Sequence, residues 1–154
     1  MHAFIRQLNP QGTEFRLPTE AEWEFAARGG IYSQGYTYAG SDRLKQVGWY
    51  RENSDNQTHE VGQLLANELG LHDMSGNVWE WCQDWFAKEY YDECCKRNIV
   101  KNPRGPDSGT DFVLRGGSWI DVSVYCHSVF RRHFPPEFHD GNFGFRLVLP
   151  FQAN

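Results

Sequence analysis

Residues 115–147 read RGGSWIDVSVYCHSVFRRHFPPEFHDGNFGFRL and form the most informative part of the chain. The two ends, 115–119 and 144–147, have the short glycine-containing sequence of a rigid frame. Between them, residues 120–143 show neither helical nor strand periodicity and are rich in aromatic and histidine side chains. A fixed frame that carries such an irregular segment is a common way to display a binding surface. The alternative is a long surface loop whose aromatic side chains support the core.

The display interpretation predicts which residues would contact a ligand. Tyr, Phe and His side chains supply contact area at low entropic cost, as in antibody binding sites. The partner would be a protein or another macromolecule. The expected ligand-binding residues are Trp119, Ile120, Asp121, Val122, Val124, Tyr125, Phe130, His133, Phe134, Phe138, His139 and Asp140.

Residues 71–81, LHDMSGNVWEW, contain a tight glycine turn between two carboxylates. If the chain folds back at this turn, the carboxylates of Asp73 and Glu80 meet the main-chain carbonyls of Gly76 and Val78 around one point. Hard oxygen ligands at this density suit Ca²⁺, so these four residues are the candidate metal ligands. In the alternative interpretation, Asp73 caps the turn through its own backbone and Glu80 pairs with an arginine.

The clearest regular element is a helix over residues 19–28. Thr19 is a good N-cap, and Glu22 three residues later completes a capping box. Gly29 and Gly30 end the helix because glycine tolerates left-handed cap geometry. We assign this helix a structural role.

Strands are predicted over residues 112–115 and 145–149 from their aliphatic and aromatic content. Residues 78–82 also fit a strand. Because successive side chains of a strand point to opposite faces, the two tryptophans of this stretch would share one face and Cys82 would lie on the other.

Composition excludes several classes of function. The 154 residues suffice for one domain with a real core, and the net charge is −5 with no basic run longer than two residues. Nucleic-acid binding is therefore not expected, because its electrostatic footprint is missing. No stretch approaches the roughly 20 apolar residues of a membrane span, and the first residues lack the pattern of a signal peptide. The sequence leaves the cellular compartment open.

The four cysteines give little further information. Their number permits disulfides, but adjacent cysteines rarely pair with each other. No Cys-x-x-Cys spacing indicates a metal site. The residues concerned are Cys82, Cys94, Cys95 and Cys126.

Four motifs together resemble one known family. They are FRLPTEAEWEFAARGG at 15–30, GLHDMSGNVWEW at 70–81, RGGSW at 115–119 and GFR at 144–146. In this order they are similar to the formylglycine-generating enzyme, or sulfatase-modifying factor, superfamily. The resemblance implies an α+β, C-type-lectin-like fold with little regular secondary structure. It also implies that N-terminal strands are absent, so we expect residues 1–154 to be a single domain that represents the C-terminal two-thirds of the family's domain.

The resemblance implies a structural Ca²⁺ at the turn of residues 71–81, but it breaks down at the catalytic centre. Formylglycine-generating oxidases bind copper(I) through two cysteines five residues apart. Here Asp121 occupies the first position and Cys126 the second. A single thiol beside a hard carboxylate makes a poor copper(I) site. We therefore expect no catalytic residue, with Cys126 as a vestigial candidate, and a non-catalytic binding module; the alternative is a formylglycine-generating-type oxidase of sulfatase cysteines or a degenerate relative.

The same superfamily includes variable proteins diversified by retroelements, whose variable segment lies between the Gly-Gly-Ser-Trp and Gly-Phe-Arg motifs. Diversification of this type acts on codons that end in a pyrimidine, which exclude Trp, Met, Lys, Gln and Glu. Within residues 120–143 only Glu137 belongs to the excluded set. The composition of the segment thus fits a variable protein of a diversity-generating retroelement. A family member that is not diversified is the alternative.

Overall fold

The computed structural model describes Ile5, Gln7 and residues 15–97 and 100–149. From Phe15 onward these contain short elements joined by long irregular segments. The α-helices are α1 (Glu20–Ala27), α2 (Leu44–Val47) and α3 (Tyr90–Lys96), and 3₁₀ turns cover Gly30–Tyr32 and Ser123–Cys126. The strands are β1 (Trp79–Trp85), β2 (Phe112–Arg115), β3 (Arg131–Phe134) and β4 (Phe143–Gly144).

The four strands form one sheet in the order β3-β2-β1-β4. The β1–β2 and β2–β3 pairs are antiparallel, and the short β1–β4 pair is parallel. Segment 120–143 therefore supplies one edge strand completely and begins the other. Both frame motifs adjoin the sheet, which fixes the two ends of the segment.

Helix α1 begins as the sequence predicts. The Thr19 hydroxyl accepts a hydrogen bond from the Glu22 backbone N–H at 3.0 Å, and the Glu22 carboxylate accepts one from the Thr19 N–H at 2.8 Å. Gly29 follows the helix with a φ of 87°, in the left-handed region that favours glycine. Trp23 carries the buried face of the helix into the core. The predicted capping box is confirmed.

Strand β1 separates two apolar clusters, as its alternation predicts. Cys82 packs with Trp23, Met74 and Val113 on one side of the sheet. The opposite cluster contains Trp79, Trp81 and Leu114, together with half-buried phenylalanines. Three of these phenylalanines come from segment 120–143, so part of that segment supports the core. They are Phe130, Phe134 and Phe143.

Two sequence expectations about regular structure are wrong. Residues 145–149 do not form a strand: Phe143–Gly144 pairs with β1, and Val148 makes only an isolated bridge with Arg16. Segment 120–143 is not wholly irregular either, because it contains a 3₁₀ turn and β3. Strand content depends on which partner the tertiary structure provides, and local composition does not encode that partner.

All four thiols are free, with Cys82 and Cys126 buried. Among the described residues, no helix is long and apolar enough to cross a membrane.

Candidate functional site

Several large apolar side chains of segment 120–143 reach the surface. Ile120, Val122, Val124, Tyr125 and Phe138 are each 37–46% exposed. Sequence reasoning omitted Val129, which is 54% exposed and belongs with them. Large apolar side chains exposed in one segment mark an interaction site more often than scattered ones do. We call these six residues the display surface.

The remaining predicted contact residues lie at different depths. Trp119, Phe130 and Phe134 are half-buried, and His133, His139 and Asp140 are exposed. Phe134 stacks on Phe138 with ring centroids 4.5 Å apart, so the display surface rests directly on the phenylalanine cluster. His133 stacks on Phe86 at 3.9 Å.

Asp121 is buried, and the structure places it beneath the display surface. Its Oδ2 accepts hydrogen bonds from the Trp79 indole N–H at 2.8 Å and from the Ser118 hydroxyl. Its Oδ1 lies 3.6 Å from the Arg132 guanidinium. Trp79 and Ser118 are both fully enclosed, so this carboxylate satisfies donors that have no access to water. Asp121 therefore anchors the beginning of the segment.

One buried and one half-buried arginine connect segment 120–143 to the protein core. The Arg115 guanidinium, which is inaccessible to solvent, donates to the carbonyl oxygens of Ser128 at 2.9 Å and Phe130 at 2.5 Å. Arg131 makes a two-pronged ion pair with Glu20 of α1 at 2.6 and 2.8 Å. These bonds tie main-chain and side-chain atoms of the segment to the core, so the display surface has a rigid base.

A cavity of about 470 Å³ opens beside the display surface. Residues 130–134 line it together with Asp121 and Tyr125. Arg132 was not among the predicted contact residues, although the Arg131-Arg132 pair was visible in the sequence. Its guanidinium lies over the rings of Trp79 and Phe134, with distances of 5.4 and 5.1 Å to the ring centroids.

The candidate calcium site fits a cation only in part. Asp73 Oδ2 accepts from the Gly62 N–H at 2.8 Å, whereas its buried Oδ1 has no hydrogen-bond partner among the described residues. Both residues line a cavity of about 390 Å³ that also includes Asn77, Val78 and Glu80. An orphaned carboxylate oxygen at a cavity is the kind of group that a cation would satisfy.

Glu80 is already neutralised by protein groups. Arg146 donates to both of its carboxylate oxygens, at 2.6 and 2.7 Å, and the Trp23 indole N–H donates at 2.7 Å. This is the arginine pairing that the sequence left as an alternative. Arg146 and Trp23 both donate to Oε2, whereas within the described part of the chain Oε1 accepts from Arg146 alone, so the second lone pair of Oε1 is the one that could ligate a cation.

Cys126 does not fit a copper(I) site. Its thiol is buried, and burial together with the nearby negative charge of Asp121 raises its pKa to about 12. Copper(I) binds thiolates, and such a pKa disfavours the thiolate form of Cys126. The other expected ligand position, residue 121, holds a carboxylate that accepts hydrogen bonds from Trp79 and Ser118.

Comparison with known proteins gives consistent matches over nearly the whole chain. Residues 2–150 match the family described as sulfatase-modifying factor enzyme 1-like domain. The formylglycine-generating enzyme of Streptomyces coelicolor is 40% identical over 150 residues, which cover 86% of this chain and 46% of that protein. The serine/threonine-protein kinase pkn1 of Chlamydia caviae is 35% identical over 133 residues, 86% of this chain and 21% of its own length.

Among solved structures, Treponema denticola variable protein 1 superposes with a TM-score of 0.74 at 39% identity. The match covers 90% of this chain and 49% of that one, so the chain spans about half the length of this relative. These matches confirm the resemblance and the α+β, C-type-lectin-like fold that the motifs predicted.

Proposed function

The chain belongs to the sulfatase-modifying factor enzyme 1-like domain family, and we propose that it acts as a non-catalytic binding module whose display surface contacts a protein partner. One observation carries this proposal: six large apolar side chains of segment 120–143 are exposed above a base fixed by buried arginine and aspartate side chains. Exposed apolar area on a rigid support favours binding, because little conformational entropy is lost when the partner docks.

A formylglycine-generating-type oxidase is the competing function, and the identity to the Streptomyces enzyme favours it. The buried thiol of Cys126, whose pKa is raised by burial, and the carboxylate at position 121 disfavour it. Copper(I)-dependent O₂ consumption with a cysteine-containing sulfatase peptide distinguishes the two. Turnover that disappears in Cys126→Ser would contradict the binding-only function.

The binding function is tested by selecting a random peptide phage library on the immobilised chain. We expect enriched clones to bind a variant carrying Val122→Ser, Val124→Ser and Tyr125→Ala about tenfold or more weakly, because the three changes remove three of the six exposed apolar side chains and a few contacts dominate binding energy. Affinities are measured by biolayer interferometry with peptides synthesised from the clones.

A matched control carries Ile31→Ser, Val61→Ser and Leu65→Ser. These side chains are 62–80% exposed but lie outside segment 120–143. Binding by this variant should equal that of the unmodified chain. Clones that depend on the control positions, or on neither set, would contradict a display role for segment 120–143.

We also propose that positions in segment 120–143 vary between copies of the gene, as in a variable protein diversified by a retroelement. The restricted set of residue types in the segment and the similarity to Treponema denticola variable protein 1 support this. Sequencing the locus from many cells should show substitutions confined to these codons and a nearby adenine-rich template. A uniform segment without a template would refute it.

A structural Ca²⁺ is proposed at Asp73, with the main-chain carbonyls of Gly76 and Val78 and the carboxylate of Glu80. The partnerless Oδ1 of Asp73 supports it. We expect CaCl₂ to raise the melting temperature relative to EDTA, with a stabilisation of about 2.7 kcal/mol at a hundredfold excess over the dissociation constant, and MgCl₂ to have a smaller effect. Differential scanning fluorimetry measures the shift.

The shift should vanish in Asp73→Ala and persist in Asp107→Ala, which removes an exposed carboxylate outside this cavity. Equal melting temperatures in EDTA and CaCl₂ would contradict calcium binding at this turn.

A further inference from the structure

Strand β3 is an edge of the sheet and lies inside segment 120–143. It pairs with β2 on one side, and no described residue pairs with its other side. The backbone N–H and C=O groups along such an edge can pair with a strand from another chain. The occupant that this geometry favours is an extended peptide.

The 470 Å³ cavity runs along β3. All five consecutive residues of 130–134 line it. Successive side chains of a strand point to opposite faces, so side chains alone would bring only alternate residues into the cavity. Contact with every residue means that backbone atoms of β3 also line this cavity, which we call the groove. Tyr125, 37% exposed, lines the same groove and offers an aromatic contact beside the backbone.

Two of the three basic side chains of β3 already have strong partners. Arg131 pairs with Glu20 at 2.6 Å, and His133 lies 2.5 Å from Asp111. Their side-chain nitrogens therefore already have acceptors within the protein.

Arg132 differs from both neighbours. Its closest carboxylate oxygen, on Asp121, is 3.6 Å away, and no hydrogen bond from its guanidinium reaches another described residue. The rings of Trp79 and Phe134 hold the guanidinium in place. A pre-positioned guanidinium with unused donors matches a carboxylate, to which it can donate two parallel hydrogen bonds.

We propose that the open edge of β3 binds an extended acidic segment of a protein partner as an added strand, with Arg132 pairing with a carboxylate of that segment. The inference rests on the proposed binding function and names the chemistry of its partner. A second copy of this chain is a poorer occupant. Antiparallel self-pairing matches only residues whose side chains lie on the same face. Centred on Arg132, it sets the Arg132 side chains of the two copies directly opposite each other, and like charges in that arrangement are destabilising.

The test uses the full 154-residue chain labelled with ¹⁵N and capped heptapeptides of alternating Thr and Val with a central Glu, Gln or Lys. The Glu peptide should shift the backbone amide resonances of Arg131–Phe134, with a dissociation constant about fivefold or more below that of the Gln peptide. The Lys peptide should produce no saturable shift. Because only alternate residues of an added strand bond to its neighbour, N-methylation of one alternate set of peptide amides should abolish binding while the other set is tolerated.

Arg132→Gln should remove the preference for the Glu peptide over the Gln peptide, whereas Arg104→Gln, at an exposed arginine outside the groove, should preserve it. Equal binding of the Glu and Lys peptides, or tolerance of both N-methylation patterns, would overturn the edge proposal. If phage-selected clones still require the display surface in that case, the proposed binding function stands and only the edge proposal fails. A dimer in sedimentation experiments that the Glu peptide dissociates would assign the edge to a second copy instead.

Discussion

Replacing Arg115 with alanine should lower the free energy of unfolding by about 3–5 kcal/mol, because it takes the donor away from the carbonyl oxygens of Ser128 and Phe130 and each buried acceptor left unsatisfied costs about 1–3 kcal/mol. Arg115 is inaccessible to solvent, and its guanidinium donates to the Glu24 carboxylate at 2.5 Å and to the carbonyl of Ser128. It also lies over the Trp23 ring, 5.2 Å from the centroid. The substitution therefore releases α1 and segment 120–143 from β2 together. Urea unfolding followed by tryptophan fluorescence measures the loss.

Arg28 provides a matched control, because it pairs with the same Glu24 carboxylate at 3.1 Å but is 46% exposed. Exposed ion pairs contribute little after solvent screening, so Arg28→Ala should cost less than about 1 kcal/mol. Equal losses in the two variants would mean that burial does not set the strength of the Arg115 interactions.

Replacing Asp121 with alanine should cost about 3 kcal/mol and should disorder the beginning of the display surface. The change leaves the Trp79 indole N–H and the Ser118 hydroxyl buried without an acceptor, and each such group costs about 1–3 kcal/mol. It also removes the carboxylate beside Arg132. Urea unfolding measures the stability, and hydrogen exchange of the 120–126 amides reports local order.

Asp121→Asn is the conservative companion. Its amide oxygen can still accept from Trp79 or Ser118, so we expect a smaller loss of about 1 kcal/mol. Wild-type stability and wild-type amide protection in Asp121→Ala would show that residue 121 anchors nothing.

Local sequence was sufficient to predict the elements that are stabilised by interactions between neighbouring residues. The capping box at Thr19 and Glu22 forms within one helical turn, and the alternation of residues 78–82 already places Trp79 and Cys82 in different clusters. The exposed apolar residues of segment 120–143 were among the predicted contact residues, apart from Val129, but the sequence did not separate them from the half-buried Phe130 and Phe134.

Interactions between residues distant in sequence could not be predicted from local patterns. Asp121 was predicted as a contact residue, but its acceptor role depends on Trp79, 42 positions earlier. Strand β3 was missed because its pairing with β2, and not its own composition, defines it. Arg132 resembles Arg131 in sequence and differs only in the carboxylate that the fold brings near.

The sequence by itself determined the family, the α+β fold class, helix α1 and the segment that carries the display surface, because motifs, caps and alternation are written in neighbouring residues. Only the tertiary structure decided which members of that segment point outward, which arginine keeps free donors and which strand edge stays open. Burial, ion pairing and strand pairing depend on chain segments that meet only on folding. Which residues become buried, ion-paired or strand-paired therefore depends on all the segments that compete for the same contacts, and no single residue determines it.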